Sequence, residues 1–184
     1  TDYFIAGVAS ILWQGDGGNG GSDVTVARGL TDVDNATAAC WGDYDRDGWL
    51  DLFVVRHDGV FEPIGPGVVA LLGSHRLFRN CLGDGGGFVD VTDAAGLNTV
   101  NSPASMSASW ADVDQDGDLD LFVAMAPLVY ESGQPQASYS PPLPTPSRLF
   151  INQDNGTFVE NGSGRFTESL MGITAAVWAD MNGD

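Results

Sequence analysis

The sequence predicts an all-β chain built of tandem four-stranded antiparallel units, three in number. Three observations carry this. Apolar runs of strand length alternate with turns rich in glycine, aspartate and asparagine along the whole chain. An aspartate ladder occurs twice in full and begins a third time, recurring after 69 and then 68 residues. Each ladder follows a run of small residues that ends in tryptophan, at Trp41, Trp110 and Trp178. A fixed interval of this kind marks a structural repeat.

Each unit reads the same way. Its first strand is rich in small residues (Ala36 to Trp41, Ser105 to Trp110, Thr174 to Trp178), which suits a crowded inner position. The ladder follows as a loop. The second strand, Leu50 to Val55 or Leu119 to Met125, is apolar without alternation, so both faces are expected to be buried. The third strand is Arg76 to Asn80 or Arg148 to Asn152, closed by the turns Gly83 to Gly86 or Asp154 to Gly156. The fourth is Phe88 to Thr92, followed by Ala94-Ala95-Gly96-Leu97. In the later unit Thr157 to Glu160 and Arg165 to Glu168 both fit.

The N-terminal stretch supplies the missing parts. Asp2 to Ala6 matches Asp120 to Ala124, Ile11 to Gln14 matches the third strand, and Asp23 to Leu30 matches the fourth. The expected division is therefore 1–35, ending a unit whose first strand and loop come from a segment of the 174–184 type. It continues with complete units at 36–104 and 105–173, and 174–184 opens the next. Second and third strands are joined by long connections holding Pro63, Pro66 and the proline-rich run Pro135 to Pro146. These read as surface excursions on one side of the array, the proline run as a stiff spacer, with docking of a partner or attachment of sugar as the alternative.

The ladder has the chemistry of a calcium site. Asp43, Asp45, Asp47 and Asp51 stand at positions 1, 3, 5 and 9, with Gly48 at position 6; Asp112, Asp114, Asp116, Asp120 and Gly117 repeat the pattern. Calcium takes six to eight oxygen ligands, and such spacing wraps one ion. The glycine permits the sharp turn. Position 7 offers the backbone carbonyl of Trp49 or Asp118. Without a cation, four carboxylates on nine residues repel. A solvated hairpin tip is the plainer reading, but it requires no fixed spacing. A helical EF-hand does not fit, because its position 12 is Val54 or Val123 and not glutamate. Magnesium rarely uses an all-protein cage. The third ladder, Asp180, Asn182 and Asp184, departs: joined to Thr1 and Asp2 it lacks the position-6 glycine and is two residues short.

Composition narrows the function. A formal charge of −18 argues against nucleic acid as a partner, and 43% hydrophobic residues argue for a packed core. No run reaches the length of a membrane helix. The apolar stretch Tyr3 to Trp13 reads as a strand pair and not a signal peptide. Cys40 sits where the other units have Ser109 and Val177, as a small strand filler, and Cys81 lies at a turn; two cysteines make no disulfide framework. The two histidines, His57 and His75, lie in or beside a long connection. No nucleophile elbow or zinc spacing appears, so no enzyme is expected. Asn35, Asn155 and Asn161 fit glycosylation sequons, a weak sign of an extracellular setting.

Asp43-Tyr44-Asp45-Arg46-Asp47-Gly48-Trp49-Leu50-Asp51-Leu52 and its counterpart from Asp112 to Leu121 resemble FG-GAP/VCBS-type repeats. The elements Arg76-Leu77-Phe78-Arg79-Asn80 and Val91-Thr92-Asp93-Ala94-Ala95-Gly96-Leu97 extend the resemblance over essentially the whole chain. It implies four-stranded blades of an integrin α-subunit-like β-propeller, calcium in the first inter-strand loop, and an extracellular or cell-surface location. It implies a structural or adhesive role, with carbohydrate or protein recognition as the alternative and a non-catalytic module of a secreted enzyme behind it. Aromatics such as Trp13, Phe61, Tyr130 or Tyr139 would serve the recognition reading. Closed propellers need at least four blades. Three therefore imply copies of the chain or further repeats as partners, with an open filamentous array or a larger ring as the two outcomes; glycans or surface proteins are the partners of the recognition reading.

Overall fold

The computed structural model describes residues 2–65, 68–98, 105–125, 129–131, 147–162 and 178, with backbone alone at 58–65, 68–72 and 129–131. They form three antiparallel sheets with almost no helix. The first sheet runs β1 (Tyr3–Ile5), β2 (Ile11–Gly15), β3 (Gly21–Asp23). The second contains β4 (Ala36–Gly42), β5 (Asp51–Gly65), β6 (Val68–Gly73), β7 (Arg76–Asn80) and β8 (Phe88–Asp90). The third contains β9 (Ser105–Ala111) and β10 (Asp120–Met125), then β12 (Arg148–Asn152) and β13 (Phe158–Glu160). β11 (Val129–Glu131) leaves the third unit to pair with β6.

The register repeats from unit to unit. Tyr3 faces Trp13, Leu52 faces Phe78 and Leu121 faces Phe150. The strand pair read from Tyr3 to Trp13 is β1 with β2. In the third unit Phe158 to Glu160 takes the fourth place, paired to β12; Arg165 to Glu168 lies outside the described residues. β5 is longer than the apolar run that predicts it. Beyond Val55 it continues to Gly65 and pairs with β6, so part of the long connection is a hairpin. In the first unit the fourth strand stops at Asp23. The Asp23 carboxylate accepts from both the N–H and the hydroxyl of Thr25, at 2.9 and 2.5 Å. Thr25 Oγ1 in turn accepts the N–H of Leu12 at 2.8 Å. Asp90, Thr92 and Leu77 repeat these contacts at 2.9, 2.5 and 2.9 Å.

The unbroken apolar second strand is explained by two cores. Successive residues of a strand point to opposite faces. Leu52 and Val54 pack with Phe78, Leu12 and Phe88 toward the first sheet. Phe53, Val55 and Leu77 pack with Leu121, Val123 and Phe150 toward the third. Each such side chain contributes about 1.5–3 kcal/mol when fully buried. On the far face of the third sheet Phe122, Ala124 and Leu149 form a further cluster, and the Trp178 ring stands edge-on to Phe122 at 5.7 Å.

The small-residue strands meet across the second interface. Thr37 Oγ1 donates to the Ser105 carbonyl at 3.1 Å and Trp110 Nε1 to the Cys40 carbonyl at 3.4 Å. Cys40 and Cys81 are free thiols. Burial pushes the Cys40 thiol up to about 12, which keeps it protonated and inert. The sheets are also tied by main-chain bonds, Phe88 N–H to the Arg28 carbonyl at 2.6 Å and Phe158 N–H to the Ala95 carbonyl at 2.9 Å.

Candidate metal centre

Both complete ladders fold into the same loop between the first and second strands of their sheets. The Asp43 carboxylate accepts the N–H of Asp47 at 3.1 Å and of Gly48 at 3.0 Å. Asp112 accepts from Asp116 and Gly117 at the same two distances. The loop reverses through two left-handed residues. These are Arg46 at φ 57° and Gly48 at φ 89°, matched by Gln115 at 62° and Gly117 at 95°. Position 6 therefore needs glycine for its backbone, as the spacing implies.

Position 9 is the anchor. Asp51 is fully buried, and its two oxygens accept the N–H of Asn80 at 2.8 Å and of Tyr44 at 3.2 Å. Asp120 accepts from Asn152 and Val113, both at 2.9 Å. Burial pushes the Asp51 carboxyl up to about 7, with Asp45 and Asp47 adding like charge against the pull of the two N–H donors. Burial raises Asp120 as well. A buried carboxyl surrounded by carboxylates lacks a positive partner, the electrostatic condition a divalent cation satisfies.

Carboxylate oxygens of Asp43, Asp45 and Asp51 lie within 4.8 Å of one another, as do those of Asp112, Asp114 and Asp116. The first group joins positions 1, 3 and 9, the second positions 1, 3 and 5. Arginines reach both loops, and one of them holds Asp45, a member of the first group. Arg79 Nε lies 2.7 Å from Asp45 and its Nη2 3.5 Å from Asp47. Arg46 Nε lies 2.8 Å from Asp118, and the same guanidinium pairs with Asp154. The donor set, all oxygen and all hard, fits calcium. Asp180, Asn182 and Asp184 lie outside the described residues.

Sequence reasoning assigned no role to Asn80 and Asn152, which brace the loops. Asn80 Nδ2 donates to the Leu50 carbonyl at 2.9 Å; Asn152 Nδ2 donates to the carbonyls of Leu119 and Tyr44 at 3.2 and 2.9 Å. The available signal was their recurrence three residues after the Leu of each third strand. Tyr44 was also missed. It is buried and stacks on Trp110 at 6.2 Å with Phe158 at 5.7 Å.

The remaining candidates are scattered. Asn155 and Asn161 are exposed, whereas Asn35 is half-buried in a left-handed turn. Trp13 stacks on Tyr3 at 6.4 Å. Tyr139 lies outside the described residues, and Phe61 and Tyr130 are described by backbone alone. Compared with known proteins, the chain matches no family model and no curated protein.

Proposed function

We propose that the chain is a calcium-stabilised structural or adhesive repeat protein of the cell surface or extracellular space, its sheets being propeller-type blades of the FG-GAP/VCBS kind. The observation that supports it is the duplicated loop, preserved bond for bond around a cluster of carboxylates. Asp43, Asp45, Asp47 and Asp51 with the Trp49 carbonyl would hold one ion. Asp112, Asp114, Asp116 and Asp120 with the Asp118 carbonyl would hold another, and Asp180, Asn182 and Asp184 would begin a third. Calcium supplies charge neutralisation and a cross-link across the loop, and the role is not catalytic. Neighbouring repeats, from copies of the chain or from further sequence, are the partners that best suit the exposed Tyr3 and Ile5 on the open face of the first sheet.

Calcium at a hundred times its Kd stabilises by about 2.7 kcal/mol per site. Excess chelator should lower the Tm by several degrees, and Asp45→Ala should remove part of the difference. Terbium bound at the Asp43 loop should luminesce through the half-exposed Trp49. Identical melting curves in calcium and chelator, with no terbium signal, would defeat the proposal.

A further inference from the structure

The two aspartate loops differ in one charged neighbour. Arg79 stands on β7 at the place Ile151 takes on β12, opposite Val89 and Val159 respectively. Its guanidinium reaches into the Asp43 loop, with Nε 2.7 Å from an Asp45 oxygen and Nη2 3.5 Å from one of Asp47. Ile151 instead packs against the cluster of Phe122, Ala124 and Leu149. Among the described residues no cation stands against Asp114 or Asp116, the counterparts of Asp45 and Asp47. Arg46 touches that second loop at Asp118, which offers a carbonyl to the site and not its carboxylate.

The carboxylates are arranged accordingly. Positions 1, 3 and 5 converge in the Asp112 loop, whereas position 5 is not part of the converging group in the Asp43 loop. Asp47 and Asp116 are otherwise held alike, each accepting the N–H two residues further on at 2.9 Å. Arg79 is the charged group that distinguishes them. Its contact with Asp45 is close, but Nε is not aligned on any acceptor as a hydrogen bond. Such a contact yields more readily than a bidentate fork. Arg79 also borders a cleft of about 240 Å³ whose wall carries Asp84. The guanidinium therefore has room to leave the loop and a carboxylate to turn to.

We propose that Arg79 is a built-in counter-cation of the Asp43 loop, holding Asp45 and Asp47 when no ion is bound and competing with calcium for them, so that the Asp43 loop is the weaker of two unequal sites. The proposal rests on the calcium reading of both loops and adds the order in which they fill. A positive charge a few ångströms from an ion repels it, and the carboxylates it holds must be released before they can ligate. In the absence of an ion the same charge relieves the repulsion among the carboxylates. The Asp43 loop therefore keeps its shape without calcium better than the Asp112 loop does, and takes up calcium later. The later loop is the one that carries Tyr44 into the space between the second and third sheets. Calcium thus acts on the chain over two concentration ranges, the higher of them at the sheet interface.

The test is calorimetric titration of the full chain with calcium, together with melting curves in calcium and in chelator. Wild type should show two sites of different affinity. Asp114→Ala disables the Asp112 loop and leaves the Asp43 loop to be measured alone. In that background Arg79→Ile, which installs the residue of the other repeat, should tighten calcium about tenfold. The gap in Tm between calcium and chelator should widen, because the chelator curve falls. The Arg79 side chain is 42% exposed, so its loss leaves the core in place. Arg79→Gln should act in the same direction. Ile151→Arg, in the otherwise unchanged chain, should weaken the tighter site. An ion pair of purely structural use predicts the opposite for Arg79→Ile: calcium bound equally or more weakly, and a Tm lowered alike in calcium and in chelator. Either of those results, or two sites of equal affinity in wild type, overturns the proposal while leaving the calcium reading intact. A wild-type chain that takes up no calcium overturns both.

Discussion

Protonating His75 should cost the fold about 3 kcal/mol between pH 6.5 and 4. The ring is 3% exposed. Its Nδ1 accepts the Arg56 N–H at 3.3 Å, and its Nε2 lies 3.0 Å from Ser105 Oγ. Ser105 gives its own hydrogen toward Met125 Sδ at 2.8 Å, so Nε2 is the protonated nitrogen and the ring is neutral. A second proton would break the Arg56 bond inside the core. Burial, reinforced by the cations of Arg148, Arg56 and Arg76, takes the His75 pKa from 6.5 down to about 4. The folded state then holds fewer protons than the unfolded state in this window. Stability is full above pH 6.5 and is lost as pH falls toward 4. A pKa lowered from 6.5 to about 4 is worth about 3.5 kcal/mol in full at ~1.4 kcal/mol per pH unit, of which about 3 kcal/mol is lost by pH 4, where the folded ring is half protonated. For a chain of this size that corresponds to roughly 6–12 °C in Tm. Asp51 and Asp120, whose pKa values are raised, act in the opposite direction over part of the range. The wild-type curve alone is therefore not the measurement. The assay is urea unfolding from pH 7 to 4, in wild type and in His75→Gln, at one calcium concentration. The variant should begin less stable and then lose less, the two curves converging by about 3 kcal/mol. Parallel curves would show that the buried ring takes its proton without cost, and the reasoning would fail.

Tyr44→Ala should cost about 3–5 kcal/mol, the usual range for a buried aromatic, whereas Tyr44→Phe should cost under about 1 kcal/mol, both read by denaturant midpoint. Gly42→Ala should destabilise by about 1–3 kcal/mol, because a Cβ there would lie 2.6 Å from the Trp110 ring. Comparable loss in Gly48→Ala would have a different origin, since nothing lies within 4 Å of its Cβ and only φ is strained. If the loops hold calcium as proposed, Asn152→Ala should weaken it at the Asp43 loop as well as at its own. A titration in which only one site changes would contradict the linkage described below.

Much of the fold was legible because its signals are local. Tryptophan after small residues, the ladder and the Leu-Phe-x-Asn spacing each fix one element, and repetition fixes them again. The absence of alternation in Leu50 to Val55 indicated burial on both faces; this holds for Leu52 to Val55, whereas Leu50 precedes the strand and is 55% exposed. What stayed hidden depends on pairs far apart in sequence. Arg56 ends the apolar run yet is buried, held by Asp32 at 3.1 Å, the Asp34 carbonyl at 3.0 Å and Ser74 Oγ at 2.6 Å. Nothing near Arg56 in the chain announces those partners. The extension of β5 was masked by Pro63 and by histidine and glycine residues that read as connection. In the candidate site the carboxylates were legible and the braces were not. A carboxylate ladder advertises its chemistry, whereas Asn80, Asn152 and Tyr44 act through main-chain bonds that no composition reveals.

The missed residues also explain why the loops and the sheet packing cannot be separated. The second oxygen of Asp51 accepts the Tyr44 N–H, and the Tyr44 carbonyl accepts from Asn152 Nδ2. The Asn152 main chain then donates to Asp120. Three hydrogen bonds thus run from the anchor carboxylate of one loop to that of the next. The Tyr44 ring, meanwhile, fills the space between the sheets against Trp110 and Phe158. Pulling the Asp43 loop out of shape would move the Tyr44 backbone, and with it both the aromatic packing and the brace on Asp120. A net worth of about 1 kcal/mol for each bond makes such linkage modest, though bonds to charged groups run higher. Its direction is set by geometry. A cation that fixes one loop also fixes the residue that closes the interface, so ion binding and the stacking of one sheet on the next reinforce each other.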